Sequence, residues 1–204
     1  MTGPRLYGRD AELAALAELI EQASERGSAI AVLGEAGTGK STLLRAAVEL
    51  ARSAGFQVLQ TAGVETEANL PFAGLHQLMR PLLDMADAAD ALPSTQRRAL
   101  FAAFGDDEGS GAEPFLIALA ALNLLAEASA QRPLLVAVDG VQWLDRPTHE
   151  ALTFVARRVS RDPIVIVGTV RKGHTGPFTE AGGAGCAAAS WPSVSPSSGT
   201  NAST

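Results

Sequence analysis

The sequence predicts an α/β fold in which helices cover both faces of a parallel β-sheet. Four short runs are continuously apolar, as strands buried on both faces usually are; they span residues 28–34, 56–63, 134–140 and 164–170. Segments with helical periodicity separate these runs, and such alternation of strand and helix is typical of a parallel sheet. A glycine-rich stretch directly after the first run indicates a strand–loop–helix unit there.

The helices can be assigned in chain order. The first is predicted before residue 28, with Asp10 as a candidate cap and Gly27 as a candidate stop. Further helices are predicted over 40–52, 72–83, 115–128 and 147–160. The stretch 115–128 is the most apolar, but it is too short to span a bilayer and contains Asn123 and Glu127, so it is interpreted as a buried helix.

The composition is that of an ordinary soluble globular protein. The chain has 204 residues, of which 47% are hydrophobic and 19% charged. Its net charge of −6 argues against direct binding of nucleic acid by this chain. The single cysteine, Cys186, excludes an internal disulfide, and the N-terminus lacks a signal-peptide core. We therefore expect a cytoplasmic protein that does not enter a membrane.

Two regions are expected, a folded α/β domain over residues 1–172 and a low-complexity tail over residues 173–204. From residue 176 onward the only charged residue is Glu180, and most others are Gly, Ala, Ser, Thr or Pro. This segment has neither helical nor strand periodicity and little apolar surface to bury. The prediction for the tail is disorder.

The stretch "GEAGTGKS", residues 34–41, matches the phosphate-loop pattern G-x-x-x-x-G-K-[ST] at every fixed position. Its glycines let the backbone wrap around phosphates with N–H groups pointing inward at a helix N-terminus. Lys40 is expected to meet the outer phosphates, and Ser41 to give its hydroxyl to Mg²⁺. The sequence thus predicts a nucleotide site made by Gly34, Glu35, Ala36, Gly37, Thr38, Gly39, Lys40, Ser41 and Thr42.

Asp139 ends the third apolar run, where a second metal-organising carboxylate is needed. Ligands of open parallel sheets lie beyond the carboxyl ends of the strands, which favours a metal role for Asp139 over a turn role. The fourth run ends in Thr169 and Arg171. Either a γ-phosphate sensor or a solvent-exposed strand end is compatible with that pattern.

Gly140 stands where a nucleotide hydrolase normally carries a second carboxylate, which orients and deprotonates the attacking water. Gln142 is a candidate for orienting that water, and Asp145 is a candidate substitute base. The sequence Asp-Arg-Pro before a helix also indicates a cap, and this interpretation of Asp145 is the stronger one. The expectation is nucleotide binding with slow or absent hydrolysis.

Several segments, taken together and in order, resemble the ATPase module of the large LuxR-family transcriptional regulators, in the signal-transducing STAND branch of the origin-recognition-like AAA-type ATPases. They are "LYGRDAELAAL", "GEAGTGKSTLLRAA", "LPFAGLHQLMRPLLD", "LPSTQRRAL", "LLVAVDGVQWLDRPTHEALTFVARR" and "VIVGTVR". The resemblance covers about residues 5–175. It implies a P-loop NTPase fold, ATP and Mg²⁺ as ligands, a regulatory switch, and self-association of the ATP-bound form.

The resemblance also assigns roles to individual residues. Tyr7, Gly8 and Arg9 match the segment that approaches the adenine. Asp139 matches the magnesium aspartate, and Arg171 matches the arginine that contacts the γ-phosphate.

Two departures from the family pattern affect what the resemblance implies. One is Gly140. The other is the sequence after Lys172, where the family's further strand, helical lid, sensor region and DNA-binding end are not recognisable, so we expect an incomplete fold and hypothesise a frameshift. Two alternatives to the switch remain. One is a small ATP-dependent enzyme, a phosphotransferase or an ATPase, although no nucleophile–base set is visible; the other is an inert nucleotide-binding fragment.

Overall fold

The computed structural model describes residues 9–23, 26–84, 90–105 and 113–174, and the backbone of a strand at Cys186–Ser190. Five parallel strands form one sheet in the order β2-β3-β4-β1-β5. The strands are β1 Ser28–Gly34, β2 Gln57–Ala62, β3 Leu134–Asp139, β4 Ile164–Arg171 and β5 Cys186–Ser190.

Six helices are described around this sheet: α1 Asp10–Gln22, α2 Lys40–Ser53, α3 Ala73–Leu83, α4 Ser94–Ala103, α5 Pro114–Gln131 and α6 Arg146–Ala156. Alternate strand residues point to opposite faces, so Ile30 and Val32 pack against α1 and α2, whereas Ala29 and Ala31 face the core shared with α3 to α6. Both faces of the central strands are therefore buried, which explains why their sequences are continuously apolar. The predicted fold class, a parallel α/β sheet flanked by helices, is confirmed.

The helix boundaries differ from the prediction in several places. Asp10 is the first residue of α1 and Arg9 occupies the cap position, while the helix ends at Gln22, well before Gly27. Helix α6 ends at Ala156 because the chain then turns into a short 3₁₀ segment at Val159–Arg161. Helix α4 was not predicted, although Gln96, Ala99 and Leu100 give it a buried face.

One strand lies inside the segment expected to be disordered. Cys186–Ser190 runs parallel to β1 as β5, with Ala29 opposite Cys186 and Leu33 opposite Ser190. The backbone of β1 has one edge that β4 leaves unpaired, and a short run of small residues satisfies its hydrogen bonds without needing any side-chain periodicity. This strand also differs from the expectation that no further strand follows Lys172. The remainder of the predicted tail after His174 lies outside the described residues.

Helix α5 is apolar and long enough, by composition alone, to cross a membrane. In the structure it instead packs between α4 and α6, and Ile117, Ala121, Leu124 and Leu125 lie in the core. The prediction of a buried helix is confirmed.

The contribution of this core can be measured with two leucine substitutions of the same chemistry. Leu124 is 0% exposed, so Leu124→Ala should lower the free energy of unfolding by about 2 to 5 kcal/mol, because a cavity remains in the core. Leu70 is 56% exposed, and Leu70→Ala should change the free energy of unfolding by less than about 0.5 kcal/mol. Urea denaturation of the three proteins measures both values; equal losses would contradict the position given to α5.

Candidate nucleotide-binding site

The carboxyl ends of three neighbouring strands meet at one edge of the sheet. In the parallel register, Gly34 at the end of β1 lies beside Arg171 of β4, and Val138 of β3 lies beside Gly168. Asp139 therefore comes next to Thr169, on the same edge as the loop that follows β1. Sheet topology thus brings together residues that are more than a hundred positions apart in the sequence.

The loop between β1 and α2 has the backbone of a phosphate cradle. Gly37 and Gly39 have φ angles of 76° and 80°, in the left-handed region that favours glycine. Lys40 and Ser41 begin α2, where the first N–H groups of a helix have no intrahelical partner and the helix dipole favours an anion. The predicted loop residues Gly34 to Thr42 thus lie together in the strand–loop–helix arrangement that the motif requires.

The ammonium group of Lys40 lies across this loop. Its Nζ donates to the carbonyl oxygens of Gly34, at 2.8 Å, and of Glu35, at 2.7 Å. Burial lowers the pKa of Lys40, and the nearby carboxylates of Asp139 and Glu35 oppose that shift. A polyanion in the cradle would favour the charged form further.

Arg9 supports the phosphate loop through a hydrogen bond to the loop backbone. Its guanidinium donates to the carbonyl oxygen of Thr38 and lies 3.6 Å from the carboxylate of Glu12, and the residue is only 8% exposed. The Thr38 hydroxyl in turn donates to the carbonyl oxygen of Glu35, at 2.9 Å. Arg9 therefore contacts the phosphate loop itself. Tyr7 and Gly8, predicted with Arg9 on the adenine side, lie outside the described residues.

Asp139 accepts hydrogen bonds from two elements at once. Its Oδ1 receives the hydroxyl of Ser41, at 3.0 Å, and that of Thr169, at 2.5 Å. The Thr169 oxygen is also occupied, because it accepts the backbone N–H of Gly140 at 2.8 Å. Thr169 is 1% exposed and holds Asp139 in place, so its hydroxyl is committed to that carboxylate instead of facing a phosphate.

A cavity of about 340 Å³ opens above this edge of the sheet. Lys40, Ser41, Asp139, Gln142 and Arg171 contribute polar groups to its walls. The predicted γ-phosphate contact Arg171 is exposed at the end of β4 and lines this cavity, as its proposed role requires.

The hydroxyl of Ser41 and the carboxylate of Asp139 are oxygen donors of the kind that Mg²⁺ takes in phosphate sites. Oδ2 of Asp139 accepts no hydrogen bond from the described residues, so it is free to face a cation. The described residues contain no cluster of three or more His, Cys, Asp or Glu side chains. A magnesium ion here would rely on one carboxylate, one hydroxyl, water and the phosphates, which is the usual arrangement for nucleotide-bound Mg²⁺.

The turn after Asp139 is held by two glycines. Gly140 has a φ of 65°, and its carbonyl accepts the N–H of Trp143 at 2.8 Å. Gly63, at the end of β2, lies directly under the turn; a Cβ there would come within 2.4 Å of the Gly140 oxygen and 2.7 Å of the Leu144 nitrogen. Position 63 therefore has no room for a side chain. Sequence reasoning missed this role, and the only available signal was a glycine directly after an apolar run.

The contacts of Asp145 favour the cap over the substitute base. This residue is 3% exposed, and its two oxygens accept four hydrogen bonds. The donors are the N–H groups of Phe72 (2.8 Å), Gly74 (3.1 Å) and Thr148 (2.9 Å) and the hydroxyl of Thr148 (2.7 Å). One carboxylate thus caps α6 and also holds the start of α3. The sequence indicated the first of these roles but not the second.

This geometry predicts a structural effect for Asp145. Asp145→Asn replaces one acceptor oxygen by a donor, which leaves buried N–H groups unpaired, so the free energy of unfolding should fall by about 3 kcal/mol. Glu150→Gln, on the exposed side of α6, should change it by less than about 0.5 kcal/mol. Urea denaturation measures both. Unchanged stability of Asp145→Asn together with lost ATP hydrolysis would restore Asp145 as the base.

No curated protein matches the chain. Among solved structures, the chain is similar to "Structure of C. elegans PCH-2", with 12% identity and a TM-score of 0.45, over 85% of this chain and 40% of that one. It is also similar to "The walker-type atpase paby2304 of pyrococcus abyssi", with 17% identity and a TM-score of 0.46, over 86% and 47% of the two chains. The chain therefore spans less than half the length of either structure.

A comparison with protein families gives a match that covers most of the chain. The AAA ATPase domain family matches residues 5–167, which include the phosphate loop, Asp139 and the turn after it. Binding of ATP follows from that family. This protein belongs to the AAA ATPase domain family.

Proposed function

We propose that this chain is the ATP-binding switch module of a LuxR-type transcriptional regulator, which holds Mg·ATP and hydrolyses it slowly. The observation that carries the proposal is a set of phosphate- and metal-binding groups next to a left-handed glycine in place of the second acid. The regulatory context rests on the ordered sequence motifs that resemble those regulators. A cytoplasmic location is part of the same proposal.

The groups needed for binding are present and close together. Lys40 supplies a cation over the loop, the start of α2 supplies N–H donors, and Ser41 and Asp139 lie 3.0 Å apart at the metal position. Arg171 adds a second positive charge across the cavity. These groups would bind the negatively charged phosphates, and the affinity for a nucleotide depends mainly on such charge-assisted hydrogen bonds.

A group that could accept the proton of the attacking water, which fast hydrolysis needs, is not found in the described part of the site. Hydrolysis requires an acceptor for the proton of the attacking water. Gly140 has no side chain, and Asp145 is saturated by four donors in a buried site. Among the described residues lining the cavity, Asp139 is the only carboxylate, and a magnesium ion would compete for its free oxygen. ATP would therefore persist on the protein.

A small ATP-dependent phosphotransferase is the second candidate, and one observation favours it. A second cavity of about 450 Å³ adjoins the first across Asp139, and its walls include Arg45, Gln60 and the hydrogen-bonded pair Thr61 and Gln77. A polar acceptor molecule would fit such a space. ATP turnover that depends on an added small-molecule acceptor would favour the enzyme, whereas binding without turnover favours the switch.

Loss of Lys40 should abolish tight binding of Mg·ATP, because Lys40→Ala removes the cation that meets the outer phosphates. At an ATP concentration of 100 times Kd, the wild-type protein should gain about 2.7 kcal/mol of stability and melt several degrees higher. Lys172→Ala is the matched control, since it removes an exposed lysine at the same end of β4. Thermal unfolding with and without Mg·ATP measures the shift; equal shifts in wild type and Lys40→Ala would contradict the proposal.

Restoring an acid at position 140 should speed hydrolysis more than it changes affinity. A Cβ on Gly140 would meet its nearest atoms at 3.5 Å, so Gly140→Asp has room, and Asp tolerates a φ of 65° better than most residues. The single-turnover rate should rise by at least about tenfold, given the usual contribution of a general base. The affinity for ATP should stay within about threefold.

Gly140→Asn is the control for this experiment, because it carries the same backbone strain without an acid. It should hydrolyse ATP as slowly as the wild-type protein. A wild-type rate already equal to that of Gly140→Asp would show that another group supplies the base.

A further inference from the structure

The side-chain amide of Gln142 has a fixed orientation at the rim of the cavity. Its Oε1 accepts the backbone N–H of Arg171 at 3.1 Å. A backbone N–H is bound only by an acceptor, so the oxygen must face Arg171 and the NH₂ group must point the other way. Nε2 lies 3.8 Å from the place where a Cβ on Gly140 would be, in the wall that also contains Lys40 and Asp139.

The free half of this amide is a pure donor. Nε2 donates to no group among the described residues. An attacking water needs an acceptor for its proton, and Nε2 offers none. A phosphate oxygen is an acceptor only and therefore complements this group. Gln142 therefore cannot take a proton from a water, and it can orient one only by donating a hydrogen bond to the water oxygen.

The backbone that carries Gln142 is rigid. Gly140 begins the turn in the left-handed region, Trp143 closes it by a hydrogen bond to the Gly140 carbonyl, and Gly63 packs against its underside. Val141 is buried in the core next to Gln142. Little conformational freedom remains to be lost when a ligand meets the amide, which favours binding.

The position of Gln142 selects the outermost phosphate. The backbone of the loop from Gly34 to Gly39 would enclose the inner phosphates of a bound nucleotide, whereas Gln142 lines the same cavity together with Asp139 and Arg171, on the side where the last phosphate and its metal would lie. A diphosphate would leave that part of the cavity without a partner. A hydrogen bond from Gln142 at this position would therefore be specific to the triphosphate.

We propose that Gln142 is a specificity-determining residue that donates its amide N–H to the γ-phosphate and so distinguishes ATP from ADP. This inference rests on the proposed function, since it requires that the site binds Mg·ATP. For a switch, the ratio of the two affinities decides which nucleotide state is populated.

Two near-isosteric variants test the proposal by isothermal titration with a non-hydrolysable ATP analogue and with ADP, both with Mg²⁺. Gln142→Met removes the donor and keeps the length, so affinity for the analogue should fall by about tenfold. Gln142→Glu keeps an oxygen for the Arg171 N–H but faces the phosphate with a carboxylate, so its loss should be larger still. Affinity for ADP should change by less than about threefold in both.

Gln131→Ala, an exposed glutamine at the end of α5, is the control and should alter neither affinity. Melting without nucleotide checks that each variant is folded. Equal losses for the analogue and ADP would assign Gln142 to support of the turn only, and no loss for either would remove it from the site. Faster single-turnover hydrolysis in Gln142→Glu, with an unchanged affinity ratio in Gln142→Met, would place it beside the attacking water. A wild-type protein that binds neither nucleotide would overturn the proposed function itself.

Discussion

The carboxylate of Asp139 is the point on which the site depends, because three elements meet there. It stands at the end of β3 and accepts hydroxyl groups from Ser41 of α2 and Thr169 of β4. Parallel pairing of β3 with β4 and of β4 with β1 fixes the separation of these strand ends, so the position of the carboxylate is set by the core of the sheet. Because Thr169 also binds the Gly140 N–H, the same contact fixes the start of the next turn.

The turn from Gly140 to Asp145 is held in one conformation by contacts on both of its sides. Gly63, directly after β2, packs against it with no space for a Cβ. Asp145, at the end of the turn, accepts four hydrogen bonds from the start of α3 and from α6. Phe72, one of these donors, has a φ of 62°, a conformation that costs a non-glycine residue about 1 to 3 kcal/mol. A hydrogen bond from a buried N–H to a carboxylate contributes about 1.5 to 3 kcal/mol, so the bond to Asp145 offsets a cost of this size. The start of α3 is thereby tied to the turn that carries Gln142.

The sequence was sufficient for features that are local. The phosphate loop is a contiguous motif, and the buried strands reveal themselves by composition, so the fold class, Lys40, Ser41 and Asp139 could be predicted. The position of Arg171 at the carboxyl end of a strand could be expected because it directly follows the fourth apolar run. Each of these depends on residues within one strand–loop unit.

Features that depend on contacts between distant segments could not be predicted in this way. Nothing near Asp145 in the sequence indicates that it also binds the N–H of Phe72, 73 residues away. The orientation of the Gln142 amide depends on the backbone of Arg171 in another strand. Strand β5 pairs through its backbone, and its five small residues carry no periodic signal. Helix α4 is short, and its buried face is narrow.

Binding and hydrolysis make different demands on this site, and the difference can be expressed as a free energy. In the proposed site, Lys40, Arg171 and the start of α2 would meet the charge on the phosphates, and none of these groups involves position 140. A general base typically contributes a factor of about 10² to 10⁴, or about 3 to 5 kcal/mol of activation free energy. A site that lacks this group but keeps its binding contacts would retain its affinity, and the lifetime of bound ATP would grow by the same factor wherever ATP leaves by hydrolysis. In the switch that we propose, this lifetime is the duration of the ATP state, so a glycine beside Asp139 would lengthen the signal without weakening the recognition of ATP.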